Sequence, residues 1–87
     1  MTPDKNLIEP RFKEGIQRWI ENGIPGGGFL DAVLRNDLSG AVGRADSSAL
    51  ENIPHIVAYL YNDCPSGCWG SDERVKMWAF KVNKATA

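Results

Sequence analysis

Histidine, cysteine, net charge and long apolar runs are all scarce in this chain of 87 residues. Ten basic side chains stand against eleven acidic ones, with no block of like charge. That balance leaves no broad electrostatic footprint for duplex nucleic acid or anionic lipid, so neither is an expected partner. The longest apolar stretch falls well short of the ~20 residues a spanning helix needs, and the first residues, "MTPDKNLIEPRF", hold no run of signal-peptide length. The expected location is the cytoplasm, with no membrane partner. Cys64 and Cys68 are too few for a secreted disulfide framework, and a reducing compartment would keep them as thiols. Their spacing leaves a strained bridge open.

Catalytic groups are equally thin. The single histidine, His55, follows Pro54 at an expected helix start and reads as a packing residue rather than a general base. No serine sits in a nucleophile-elbow setting. Asp31, Asp37 and Asp46 are accounted for as helix caps or solvent-facing charges. Cys64, Cys68 and His55 offer three zinc ligands where a structural site wants four, and Cys-x3-Cys suits zinc poorly. No catalytic residue, metal or cofactor is expected, and the chain reads as a non-enzyme.

What the sequence does contain is the composition of a folded protein, 43% hydrophobic and 24% charged. The expectation is a single all-helical domain over residues 1–87, a compact bundle of about five short helices. A chain of this size holds one modest core, which self-association commonly supplements, so a homo-oligomer is expected. Ile8, Phe12, Ile16, Trp19 and Ile20 recur at helical spacing behind Pro10, predicting a first helix from about Pro10 to Asn22 that stops at Gly23. "FLDAVLRN" and "DLSGAVGRAD" predict two short helices, the second capped by Asp37, with Leu38, Ala41, Val42 and Ala45 inward. Gly40 and Gly43 inside it suggest a close approach by another backbone. Ser48 and Glu51 form a capping-box pattern, Leu50, Ile53, Val57 and Leu60 an inward stripe, and Pro54 a kink or break. Of Tyr59 and Tyr61, which flank Leu60, at least one should be partly exposed. Ser71 is the expected cap of a last helix with Val75, Trp78, Ala79 and Val82 inward. The expected core is Phe12, Ile16, Leu30, Leu34, Leu60 and Trp78.

The stretch with two readings is "GIPGGGFLDAVL". Gly26, Gly27 and Gly28 can be a sharp connection between two helices, with glycine supplying positive φ. They can also aim unpaired amides and a positive dipole end at an anion. No Lys-Ser or Lys-Thr follows, so this is not a P-loop, and no strand precedes it as a dinucleotide fingerprint requires. Under the binding reading, Gly26 to Gly28 hold phosphates and Arg44 adds charge. Asn36 and Asp37 hydrogen-bond a base or ribose, and Trp69, in the loop "CPSGCWG", offers a stacking surface.

Read together, "GIPGGGFLDAVLRNDLSGAVGRAD", "IVAYLYNDCP" and "CWGSDERVKMW" resemble a type of small, mostly uncharacterised accessory protein carried by phages and prophages. The resemblance runs from about Phe12 to Trp78. It implies a phage-encoded protein acting in the host cytoplasm by stoichiometric binding. The role it suggests is sequestering a nucleotide-derived messenger made by a host defence system. The alternative is a protein-binding module that inhibits or regulates a host protein, such as a defence protein, without a small ligand. A concave site where Gly28, Asn36 and Arg44 converge would favour the first, and an exposed apolar patch the second.

Overall fold

The computed structural model describes residues 2–86, with side chains as far as residue 83. A one-turn 3-10 helix at Lys5–Leu7 leads into α1 (Pro10–Asn22), α2 (Gly28–Leu34), α3 (Leu38–Arg44), α4 (Ser47–Asp63), a second 3-10 turn at Ser66–Cys68, and α5 (Asp72–Thr86). Among the described residues there is no strand, and the fold is the all-helical bundle that the periodicity predicts.

α1 starts with Pro10 at its first position, where a missing N–H costs nothing. It ends at Gly23, whose φ of 67° is left-handed and whose N–H bonds the Trp19 carbonyl at 2.9 Å. Its buried face is Phe12, Gly15, Ile16 and Trp19. A Cβ added at Gly15 would lie 2.7 Å from Leu30 Cδ1, so this glycine, inside a helix, is what lets α2 pack closely on α1. The close approach expected at Gly43 does not occur there: nothing lies within 4 Å of an added Cβ. At Gly40 the near neighbours are the side chains of Asp37 and Arg44, not a second backbone.

The pair Asn36-Asp37 turns the chain from α2 into α3. Asn36 sits at φ 62°, the Asp37 N–H bonds the Ala32 carbonyl at 2.8 Å, and the Asn36 N–H bonds Val33 at 3.1 Å. Those two bonds are a Schellman motif, with asparagine filling the left-handed position that it tolerates better than most residues. The Asp37 carboxylate then accepts the Gly40 N–H at 3.0 Å and caps α3 as expected.

α4 departs from the expected pattern at its start. Asp46 is the cap, accepting the Ala49 N–H at 2.7 Å, while the Ser48 hydroxyl is engaged by the Glu9 carboxylate. The helix runs on through Pro54. Its buried side includes Asn52 and His55, both of which hold the N-terminal segment. Asn52 accepts from the Glu9 N–H and donates to the Leu7 carbonyl, each at 3.0 Å, and His55 Nδ1 accepts the Asp4 N–H at 3.0 Å. α5 is capped by Ser71, whose hydroxyl accepts the Arg74 N–H at 3.1 Å.

The core holds Phe12, Ile16, Leu30, Leu34 and Leu60 as expected, joined by Ile56 and Val75. Trp78 lies at its edge, half-buried, donating from Nε1 to the Ile20 carbonyl at 3.3 Å. Tyr59 is buried and Tyr61 is 76% exposed. Leu38, Val42 and Leu50 face outward, being 70%, 47% and 47% exposed. α3 is two turns long and buries only Ala41 fully, with Ala45 partly buried against the core as expected, while Leu38 and Val42 stay exposed.

Candidate functional site

The seven residues expected to bind a ligand do not come together. Gly26 and Gly27 form the turn before α2, Gly28 opens α2, and Arg44, at the end of α3, lies beside them. Here a Cβ at Gly26 would meet Leu30 Cδ1 at 2.8 Å, Gly27 has φ 97°, and a Cβ at Gly28 would meet Arg44 Cδ at 3.0 Å. Each glycine therefore has a conformational or packing reason of its own. Arg44 does lie over Gly28, as the sequence suggested, but its guanidinium is turned to the Gly40 carbonyl at 3.1 Å. Asp37 is occupied as the α3 cap.

Asn36 and Trp69 line a different feature, a cleft of about 320 Å³ between the end of α2, the outer side of α4 and the loop into α5. Its floor is Val33, Val57 and Leu60. One wall is an aromatic pair: Tyr61 and Trp69 meet edge to face, with centroids 4.9 Å apart at 83°. Ser66, Gly70 and Arg74 also line it. Gly28 and Arg44 do not reach this cleft, so Gly28, Asn36 and Arg44 do not converge.

Three contacts build the cleft. The Gly70 N–H bonds the Leu34 carbonyl at 2.7 Å, tying the loop to the end of α2. Gly70 sits at φ 110°, and a Cβ there would stand 3.1 Å from an Arg74 terminal nitrogen, so glycine both makes the bend and clears space for the guanidinium. From beneath, Trp19 Nε1 donates to the buried Cys68 carbonyl at 2.9 Å.

The polar groups of this cleft are left uncommitted. The side chains of Asn36, Tyr61, Ser66 and Trp69 make no hydrogen bond to the described residues, and Arg74 has no carboxylate partner among them. The one internal contact of its guanidinium is a 3.5 Å approach to the Ser66 carbonyl. By contrast Arg35, nearby, is committed to Asp31 at 2.9 Å and to Asp72, and its pKa is raised chiefly by the Asp31 bond. Cys64 at the back of the cleft is inert: burial first, then the neighbouring Cys68 and Asp63, push its thiol up to about 12. Burial pushes Cys68 up to about 11. Neither is a nucleophile at neutral pH.

Arg74 was not singled out from the sequence, although a signal was there. It stands third in α5, in a first turn where the helix dipole disfavours a cation, directly after two acids. A larger recess, about 490 Å³, lies between the N-terminal segment and α1, but its Lys5 and Asp63 pair with each other at 2.9 Å. No group of three or more His, Cys, Asp or Glu among the described residues is arranged to hold a metal. None of the described helices is long and apolar enough to cross a membrane. Compared with protein-family models, with curated proteins and with solved structures, the chain matches none.

Proposed function

We propose that this chain is a phage-type accessory protein that binds, without transforming, a nucleotide-derived ligand, and that it holds the ligand in the cleft of Tyr61, Trp69 and Arg74. Acting in a host cytoplasm, such a protein would sequester a messenger on which a host defence system depends. The observation that carries this reading is the convergence of uncommitted polar groups and aromatic surface on one small cleft. A planar ring has the exposed Tyr61 or the half-buried Trp69 to stack on, at ~1–3 kcal/mol per stacked base. A phosphate has the Arg74 guanidinium, which can bind it with two parallel N–H bonds. Asn36 supplies both a donor and an acceptor for the edge of a base. The phosphate site thus moves from the glycine turn, which opens a helix of only seven residues, to the start of α5.

A thermal-shift screen of the purified protein against linear, cyclic and cyclic-dinucleotide ligands tests it. Ligand at about 100 times its Kd adds ~2.7 kcal/mol, which moves a domain of this size by several degrees. A selective shift that Arg74→Gln abolishes supports the cleft. A shift that survives Arg74→Gln but is lost in Arg44→Gln returns the site to the glycine turn, and a flat screen removes the nucleotide class.

The alternative, a protein-binding module, has an observation of its own on the outer side of α5. Met77 and Phe80 are 63% and 65% exposed there, beside Gly67. Residues 74–84 hold four basic side chains and no acidic one, so the partner such a face fits is an acidic, amphipathic segment.

A further inference from the structure

Three side chains of α4 tie down the segment that leads into α1. Asn52 holds the Glu9 amide and the Leu7 carbonyl at 3.0 Å each, Asp63 pairs with Lys5 at 2.9 Å, and His55 Nδ1 accepts the Asp4 N–H at 3.0 Å. The segment has little else to hold it. Of residues 4–9 only Ile8 is buried, and Leu7 is 57% exposed. A segment with few buried apolar contacts opens locally at low cost, so each of these ties weighs on whether it stays down.

The His55 tie differs from the other two in kind. A carboxamide does not titrate, and an ammonium–carboxylate pair titrates only well outside the neutral range, whereas a free imidazole changes charge between about pH 5 and 8. To accept an N–H, Nδ1 must offer its lone pair, which puts the ring's one proton on Nε2. Nε2 has no hydrogen-bond partner among the described residues and is not a buried orphan, so it meets solvent. A second proton, taken from solvent, can go only to Nδ1. There it turns an acceptor into a donor that faces another donor.

The charged groups around His55 do not offset that loss. From the N-terminal segment, the Asp4 carboxylate is turned back onto the Asn6 N–H at 2.9 Å, Lys5 is taken by Asp63, and Glu9 by Arg11 and Ser48. From α1, Lys13 lies over the Tyr59 ring, one turn along α4 from His55. Glu51, one turn before His55, is exposed, so an imidazolium meets it only by swinging out toward solvent.

We propose that His55 is an acid-sensitive latch: protonated at Nδ1, it releases the Asp4 amide, and residues 4–8 lift from α4. The segment's Lys5, Asn6 and Ile8 line the recess of about 490 Å³ together with Lys13, Gln17 and Tyr59, so release opens that recess. The latched state holds the ring neutral and the open state accepts a proton. The open state therefore binds more protons, and latching is complete at high pH and weakens as pH falls. Carboxylates stay ionised through this range, which separates the latch from acid unfolding of the whole domain.

Native-state hydrogen exchange on the full chain tests it, read as protection factors so that the intrinsic pH dependence of exchange cancels. Protection of the Asp4 and Glu9 amides should fall about tenfold between about pH 7.5 and about pH 5.5, the change that one imidazole free to titrate near 6.5 gives. The Ile16 and Leu60 amides, in the core, should keep theirs. His55→Gln, neutral at every pH, should lose the response, while Asp63→Asn should weaken protection at both pH values and leave their ratio unchanged. Wild-type protection that does not change with pH overturns the latch. So does an equal fall in the core amides, or a fall that survives His55→Gln. The imidazole nitrogen-15 shifts give a readout that needs no variant: at neutral pH the proton is expected on Nε2, and a proton on Nδ1 overturns the latch.

Discussion

The indole N–H of Trp19, in the last turn of α1, donates a 2.9 Å hydrogen bond to the carbonyl of Cys68, in the turn that precedes Trp69. Both residues are buried, so the bond joins the core to the loop that shapes the cleft. Trp19→Phe keeps most of the packing and leaves the Cys68 carbonyl without its donor, which should cost about 1–3 kcal/mol in denaturant unfolding. The same variant should shift the Trp69 indole resonance, because the loop loses its anchor beneath the ring.

Two glycines should respond to alanine with opposite signs. Gly27, at φ 97° and ψ 170°, caps α2 in a region open almost only to glycine, with no atom near enough to clash. Gly27→Ala should therefore destabilise by ~1–3 kcal/mol through backbone strain alone. Gly43 lies within α3 with open space around it, and Gly43→Ala should stabilise by up to about 1 kcal/mol. Melting curves of the two variants check the pair.

Three carboxylates, the half-buried Glu9 and the exposed Asp46 and Asp72, are held below their ordinary range. Glu9 is lowered chiefly by the Ser48 hydroxyl and then by Arg11, Asp46 by the Ala49 amide and then by Arg11, and Asp72 by Lys76 and then by Arg35. A depressed carboxylate favours folding above its unfolded pKa, about 4, and loses that contribution as pH falls through its lower folded value. Unfolding followed between neutral and strongly acidic pH should show stability falling below about pH 4. Ser48→Ala should reduce that slope, since it removes the largest influence on Glu9.

The two thiols give the complementary behaviour at high pH. With Cys64 raised to about 12 and Cys68 to about 11, both stay protonated in the folded protein while the unfolded chain ionises near 8.5. Stability should be complete below that value and decline as pH rises above it. At mild alkalinity, iodoacetamide should label neither cysteine quickly in the native protein and both on unfolding in guanidinium.

Several of these relationships were legible in the residues and others were not. The helices came from periodicity because the spacing of Phe12, Ile16 and Trp19, the stop at Gly23 and the cap at Ser71 are local, and local chemistry alone settles them. The start of α4 misled because Asp46 and Ser48 are equally good caps in isolation. What separates them is Glu9, a residue 39 positions away that engages the Ser48 hydroxyl. Asn36 looked like a ligand residue and proved first to be a turn residue, since only its φ of 62° exposes that role.

For the site, the sequence by itself determined the ingredients: a loop tryptophan, an asparagine between two helices, a glycine turn, and thiols without a metal's complement of ligands. Tertiary structure alone decided their grouping. It parted Asn36 and Trp69 from Gly28 and Arg44, and brought Arg74 and Tyr61 to the first pair, through the Gly70 amide on Leu34 and the Trp19 indole on Cys68. Those two bonds span tens of residues of sequence, and no local propensity encodes a contact whose partners meet only when the core has closed.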